Sequence, residues 1–457
     1  MKPQVNQDPG HKRDSDVPPM TETVPFTPLE EAIFYIERMH GPWNVQFEVE
    51  TATRIDADRL RAAVIAACNV HPLARARKQP HDETDVRCHW AIPDAIADLP
   101  PETVTVADGL TASDISAFYR SRFDPVEELP FRVLVDRGEG HDDGDRVHIC
   151  SNHVAADGVG GAQFVRSLCR AYRGDDLDAE PVSLSTARTV MGDDSPPSPR
   201  TALALLGDAL GSLGTALREP ARIAENGGDE TEGWLFERRR LDDDLTERVL
   251  EAPPAEATVN DIMLAALHHC IHAWNREHGE PAGRISVMMP LNLRPREWFY
   301  DVVGMFTAIG SISTRRRDRR HPRTTLQTVV EQTGRIKDRD RATIPHEVLK
   351  LLPTRTPVGL KEWVPELLNG LGRRFVDTAV LSNLGRIPAP APGFAPEDDP
   401  TFWFSPPSFR LAPVGIGVAT VDGTVHVTGR YWRSEFDADA AAAFTDRYLD
   451  CLEAVVA

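Results

Sequence analysis

Along residues 44–50, NVQFEVE, the apolar Val45, Phe47 and Val49 alternate with polar neighbours, the period of a strand with one wet face. The period then lengthens. In DADRLRAAVIAACNVHPLARAR, Asp56 is placed to cap a helix whose Leu60, Ala63, Val64 and Ala67 share one face, and Pro72 stops it. A short helical piece is expected near 112–123. Beyond it Phe131, Val133 and Val135 alternate, a Gly/Asp loop intervenes, and Val147 and Ile149 resume the alternation, which predicts two antiparallel strands. The second runs into SNHVAADGVGG, residues 151–161, behind which Phe164, Leu168 and Tyr172 recur at helical spacing. That segment therefore lies at a strand-to-helix junction.

Residues from about 180 to 235 carry DDSPPSPR and AENGGDETEG, breaker-rich stretches that bracket a helix-like TALALLGDALGSLGTAL. A second periodic block begins near Trp234. Thr258 and Asp261 form a capping-box pair ahead of a helix that is apolar nearly all round. Strands in RISVMMPLNLRP and MFTAIGSIST, a helix near 325–337, a strand in DTAVLSNLG and a hairpin turning at Asp422-Gly423 follow. A last helix aligns Phe444, Tyr448, Leu452 and Val455. The pattern predicts an α/β (α+β) protein with a disordered tail over 1–21, an N-terminal lobe over 22–180, a helix-bearing linker over 181–235 and a C-terminal lobe over 236–457. Two such lobes can enclose a ligand between them.

With 457 residues, 41% of them hydrophobic, the chain can fill two sizeable cores. Its 70 acidic against 51 basic residues, net −19, argue against nucleic acid or an anionic membrane as a general partner, so any anionic ligand must meet local positive charge. Only six of the basic residues are lysine. The six cysteines are scattered with no CxxC pair, which predicts reduced, mostly buried thiols. The polar N-terminus lacks the apolar core of a signal peptide, and no run approaches the ~18 apolar residues of a transmembrane segment, so a cytoplasmic location is expected.

Candidate chemistry concentrates in SNHVAADGVGG. A histidine at a strand end can take a proton from a hydroxyl or amine at neutral pH, which makes His153 a candidate general base. Asp157, four residues on across a turn, is badly placed to polarise the same imidazole but can bind an arginine and lock the loop. Gly158, Gly160 and Gly161 allow unusual dihedrals or the close approach of another segment. By itself the segment fits a site and a glycine-rich turn equally well.

Taken in order, LPFR, two strands, HVAADG, ATVNDIMLAAL, MPLNLRP and LSNLG, with HPLARAR upstream, resemble the condensation-domain-like acyltransferase superfamily, and most nearly its wax ester synthase/diacylglycerol acyltransferase branch. The likeness runs from about Pro25 to the C-terminus. It implies two chloramphenicol-acetyltransferase-like lobes, each a mixed, largely antiparallel sheet with flanking helices, and a tunnel between them for a pantetheine thioester and an acceptor. On this resemblance His153 activates an alcohol or amine acceptor, Asp157 turns away to pair with Arg75, and Gly158 permits the turn. No bound cofactor or metal is implied; acyl-CoA, or an acyl-phosphopantetheine on an acyl-carrier protein, is substrate. Expelling a thiolate is easier than expelling an alkoxide, so positioning plus one base suffices. The alternatives are a carrier-protein-dependent condensation enzyme and a non-catalytic binding relative. Three departures stand out: Asn152 replaces a histidine common before the catalytic one, Gly304-Met305 replaces a Gly-Asn common in the wax ester synthase branch, and no DFGWG segment is present.

The same resemblance makes Asn152, Asn260, Asn292, Arg294, Ser382 and Asn383 candidate substrate- or thioester-binding residues. Several have a plainer reading: a loop salt bridge for the NLRP pair and a strand-ending turn for Ser382 and Asn383, while N-terminal capping accounts for Asp261 more readily than for its neighbour Asn260, which the resemblance sets in the tunnel wall. His268 and His272 lie four apart on a helix but lack a third ligand and an HExxH glutamate, so they are expected to be packed rather than metal-binding. TRRRDRRHPR, residues 314–323, is the one dense basic run; it suits the phosphates of coenzyme A, an acidic carrier protein, or simply solvent.

Overall fold

The computed structural model describes residues 20–138, 144–191, 219–228, 232–251, 253–254, 256–280, 283–337, 356–361, 376–396, 401–408 and 410–457. The helix expected within 201–217 lies outside them, as does the tail up to residue 19; the first strand already begins at Met20.

The first half runs β1 (Met20–Pro25), α1 (Pro28–His40), β2 (Asn44–Thr51), α2 (Ala57–Val70), β3 (Arg77–Lys78), β4 (His89–Pro93), β5 (Val104–Asp108), α3 (Ala112–Arg120), β6 (Phe131–Arg137), β7 (Asp145–Asn152) and α4 (Gly158–Arg173). The second half runs β8 (Trp234–Arg240), α5 (Val259–Glu277), β9 (Ile285–Asn292), β10 (Thr307–Thr314), α6 (Pro322–Lys337), β11 (Ala379–Arg386), β12 (Phe402–Ser405), β13 (Val414–Val421), β14 (Thr424–Trp432) and α7 (Ala438–Val456). Asp56 caps α2 by accepting from the Arg59 amide at 2.8 Å, and Asp157 caps α4 through the Gly160 amide at 2.8 Å. Asp422 and Gly423 both take positive φ, as the tight β13–β14 hairpin requires.

The strands form a small sheet ordered β1-β4-β3, a five-stranded sheet ordered β12-β2-β7-β6-β5 and a six-stranded sheet ordered β10-β9-β11-β13-β14-β8. Both large sheets are mixed: β5 runs parallel to β6, and β11 runs parallel to β9 and β13, while the other pairs are antiparallel. One core packs α2 and α4 on the five-stranded sheet, through Leu60, Val64, Phe164 and Leu168 against Phe47, Val133 and Ile149. The other packs α5 and α7 on the six-stranded sheet, through Leu264, Leu267, Phe444 and Tyr448 against Val287, Ile416 and Val427. The architecture is thus α/β with two sheet-and-helix halves, as the sequence pattern predicts.

The halves interlock. Strand β12, from the second half, pairs antiparallel with β2 and completes the first sheet, Phe402 opposite Val49. The wet face expected of residues 44–50 is also missing: Gln46 and Glu48 are fully buried, because β8 and α3 cover that side of β2. Arg238 of β8 reaches the Glu48 carboxylate at 2.5 Å and Arg146 does so at 3.1 Å. Burial alone would raise the Glu48 pKa; Arg238, His148 and Arg146 reverse this and hold it far below the carboxylate range. All six cysteines are free thiols, and five are buried. Among the described residues no helix is long and apolar enough to cross a membrane.

Candidate active site

Strand β7 ends at Asn152, and the chain turns at once: the Asn152 carbonyl accepts the amides of Ala155 (3.2 Å) and Ala156 (3.3 Å) before α4 begins. His153 sits in this turn. Its Nδ1 lies 3.0 Å from the Ala156 carbonyl oxygen, which can only accept, so Nδ1 carries the proton and Nε2 keeps its lone pair. Burial lowers the imidazole pKa, an effect the Ala156 carbonyl and Asp157 only partly offset, so the ring is neutral at physiological pH. The Trp43 ring lies beside it, centroids 6.1 Å apart.

Asp157 faces away from the imidazole into the second half of the chain. One oxygen accepts the Gly160 amide; the other accepts the Arg294 guanidinium at 2.7 Å, the Phe306 amide at 2.9 Å and the Thr307 hydroxyl at 2.9 Å. The Asp157 amide in turn donates to the Gly304 carbonyl at 3.0 Å. Burial works to raise this carboxyl's pKa, but Arg294 and the backbone donors overcome it and hold it below the ordinary value. The expected pairing with Arg75 is therefore replaced by one with Arg294. Arg75 is committed elsewhere, its guanidinium donating to the carbonyls of Cys68, Asn69 and Pro93 near the end of α2.

Gly158 and Gly160 work through space rather than dihedrals, since neither has positive φ. A Cβ on Gly160 would stand 2.8 Å from the Gly304 amide nitrogen, and one on Gly158 would stand 2.9 Å from a Leu384 methyl and 3.0 Å from the Phe404 ring. Gly158 and Gly160 thus let the first half close against the second.

A narrow cavity of about 70 Å³ lies where the halves meet, lined from one side by Trp43, His153 and Gly158 and from the other by Asn292, Ser382 and Asn383. Met288 and Met305 add flexible thioethers to its wall. Asn292 at the end of β9 has its oxygen turned to the Arg294 amide (3.0 Å) and guanidinium (3.3 Å), so its Nδ2 must point the other way, and it is buried with no hydrogen-bond partner among the described residues. The Asn383 oxygen accepts the Gly385 amide at 2.8 Å. His153, Asn292, Ser382 and Asn383, separated by up to 230 positions (383 minus 153), thus share one cavity wall.

Three other expected site residues do not line it. The Arg294 side chain is fully buried in the Asp157 pair, so the loop salt bridge is its role. Asn152 is buried behind the turn, donating to Glu37 at 3.2 Å and accepting the Val154 amide at 3.0 Å. Asn260, in the first turn of α5, donates to the Met289 sulfur at 2.9 Å, on the helix side of the sheet. Its neighbour Asp261 accepts the Thr258 amide at 2.8 Å, as a cap does. His268 is buried with Nδ1 2.9 Å from the Thr314 hydroxyl, and His269 lies 2.8 Å from that of Thr325. The sequence reading missed Trp43 and Phe404 of the cavity wall; the aromatic Trp43 just ahead of an amphipathic strand and the apolar run FWFS, 402–405, were the available signals.

No family model matches the chain. It is 31% identical over 442 residues to the uncharacterized protein Rv2305 of Mycobacterium tuberculosis (strain ATCC 25618 / H37Rv), an alignment spanning 95% of this chain and all of that one. Among solved structures, the epimerization domain from the third module of tyrocidine synthetase B superposes with a TM-score of 0.66 at 15% identity, covering 97% of this chain and 98% of that one. The condensation domain of the Monacolin K polyketide synthase MokA gives 0.61 at 14% identity, covering 96% and 98%. These structural likenesses fix the fold as condensation-domain-like, that is, chloramphenicol-acetyltransferase-like. By its full-length similarity, the chain belongs to the family of the Mycobacterium tuberculosis protein Rv2305.

Proposed function

We propose that this protein is an acyltransferase that moves an acyl group from a pantetheine thioester, acyl-CoA in the first instance, to an alcohol or amine. The observation that carries the reading is the His153 tautomer: Nδ1–H is spent on the Ala156 carbonyl, leaving a neutral ring with an available Nε2 in the wall of the inter-lobe cavity. Nε2 takes the acceptor's proton as its oxygen or nitrogen attacks the thioester carbonyl; the C–S bond then breaks and the imidazolium returns the proton to the departing sulfur. The Asn292 Nδ2, which has no partner among the described residues, is suited to hydrogen-bond the oxyanion that forms between these steps. Ser382 and Asn383 are suited to orient the thioester arm, and Asp157 and Gly158 hold the turn that aims His153. The lobes, 22–180 and 236–457, meet at this cavity, whose methionines can re-pack to admit a chain wider than the closed space. The order of sequence motifs supports the wax ester synthase/diacylglycerol acyltransferase branch.

Incubation with a panel of acyl-CoAs and of alcohol and amine acceptors, with products read by mass spectrometry, tests this. Acylated acceptor together with free CoA is expected; hydrolysis alone, or no turnover across the panel, counts against it. A second reading, that the donor is carried on an acyl-carrier protein, draws support from relatives in fold that are domains of a synthetase and a synthase. Product formed from acyl-carrier protein but not from acyl-CoA selects it.

A further inference from the structure

The basic run 314–323 belongs to a different place from the cavity that holds His153. It links β10 to α6, and with α5 and α7 it walls an open pocket of about 870 Å³ on the helix-covered side of the six-stranded sheet. Met288, Pro290 and Asn292 of β9 face the inter-lobe cavity, whereas Val287 and Met289 face the core beneath α5 and α7, so the sheet separates the two spaces. Along β10, Thr307 lines the inter-lobe cavity and Thr314 adjoins the pocket, seven residues and roughly 23 Å apart at ~3.3 Å per residue. A thioester whose phosphates lay in the pocket would have to pass round the edge strand β10 and span that distance to reach His153.

Five arginines, Arg276, Arg316, Arg317, Arg319 and Arg320, line this pocket together with His269 and His272, and among the described residues no carboxylate does. That concentration occurs in a chain of net charge −19. Nearby acids are already engaged: Asp318 holds the Arg315 amide at 2.8 Å and Arg317 at 3.4 Å, and Glu277 pairs with Arg447 at 2.6 Å. Among the described residues no carboxylate pairs with Arg276, Arg316 or Arg320. The loop that carries them is fixed in place. Buried Arg319 donates to the Thr314 carbonyl at 2.6 Å and the Gly283 carbonyl at 2.8 Å, and the Thr325 hydroxyl ties down the Asp318 carbonyl at 2.9 Å. On the pocket wall, His272 Nδ1 is buried without a hydrogen-bond partner among the described residues. Burial, then the charges of Arg319, Arg276 and Arg316, lower the His272 pKa.

We propose that this pocket is a second binding site, separate from the acyl-transfer cavity, for a small ligand bearing two or more linked phosphates. Clustered guanidiniums match phosphate oxygens with paired donors, and the volume lies within the range of small-molecule sites. A concave pocket suits a small anion better than the flat face of an acidic protein. The floor, Ala273, Pro322, Cys451 and Ala454, is small and mostly apolar, leaving room beside the phosphates for the rest of a nucleotide.

Isothermal titration calorimetry of the full chain with inorganic tripolyphosphate, ATP and coenzyme A tests the proposal and separates the sources of phosphate. One-to-one binding of tripolyphosphate is expected, weakened by added salt and at least about tenfold weaker in Arg316→Ala/Arg320→Ala, two exposed positions whose replacement spares the fold. Tighter binding of ATP or coenzyme A than of tripolyphosphate identifies a nucleotide carrier; equal binding identifies the phosphates alone. His153→Ala is expected to bind unchanged, so this result stands or falls apart from acyl transfer. No saturable binding of any of the three up to about 1 mM, or binding that Arg316→Ala/Arg320→Ala leaves untouched, overturns the proposal.

Discussion

Replacing Asp157 by alanine strikes the junction of the two halves. The carboxylate is 1% exposed and accepts four hydrogen bonds, at 2.7–2.9 Å, from Gly160, Arg294, Phe306 and Thr307. Its loss leaves the Arg294 side chain, 0% exposed, as an uncompensated buried charge, a defect that costs about 3–5 kcal/mol. Removing the cap of α4 adds about 1 kcal/mol. Most of this cost comes from the stranded guanidinium rather than from the pair's own attraction, so Asp157→Ala/Arg294→Met should recover more than half of it. Guanidinium chloride unfolding of the wild type and both variants measures the effect. A cost below about 1 kcal/mol for Asp157→Ala, or a double variant no better than the single, refutes the clamp. The pH dependence gives a further check: a carboxyl with lowered pKa contributes fully above the unfolded value near ~3.9 and loses that contribution as pH falls through its folded pKa. The difference between wild type and Asp157→Ala should accordingly shrink only in strong acid.

Glu37 should behave oppositely. Burial, only partly countered by Asn152, Arg122 and Arg132, raises its pKa to about 7, so its contribution to stability is present below about 4.3 and is lost as pH rises through 7. Glu37→Gln is expected to remove this decline and to be more stable than the wild type at pH 8, by on the order of 3 kcal/mol; identical pH profiles would count against it. Gly160→Ala should destabilise strongly because Gly304 backbone blocks its Cβ, whereas Gly158→Ala meets only side chains and should mainly raise KM by narrowing the cavity; equal stability losses would contradict this. Asn292→Ala should lower kcat about 10²–10³-fold if its Nδ2 binds the oxyanion, and steady-state kinetics with an unchanged kcat would remove it from the mechanism.

Much of this fold can be read from local pattern. The caps at Asp56 and Asp261 and the Asp422-Gly423 turn follow from residues within a few positions of each other, and the β6–β7 pair from residues no more than 20 apart. What local pattern misses is set by distant chain segments. The alternation in 44–50 predicts a wet face, but Arg238, about 190 residues on, neutralises Glu48 and permits its burial. The same holds at the motif. An aspartate in a turn can take an arginine partner, and the resemblance points to Arg75 of HPLARAR, yet Arg294 is the one the fold delivers. Strand β12 escaped notice because four residues are too short for a period to show, and its pairing with β2 spans more than 350 positions. The strand-to-helix junction that carries His153 was legible because a strand end and a glycine-rich helix start are both local. The His153 tautomer rests on a single carbonyl three residues away, which only coordinates reveal.

Acceptor-dependent release of free thiol, followed with a thiol-reactive dye in wild type and His153→Ala, tests the central claim most directly. The account predicts a loss of about 10²–10⁴-fold in His153→Ala with circular dichroism unchanged, and a wild-type rate that holds down to pH values below the ordinary imidazole range because burial keeps the ring neutral. Thiol release by His153→Ala at the wild-type rate would contradict it.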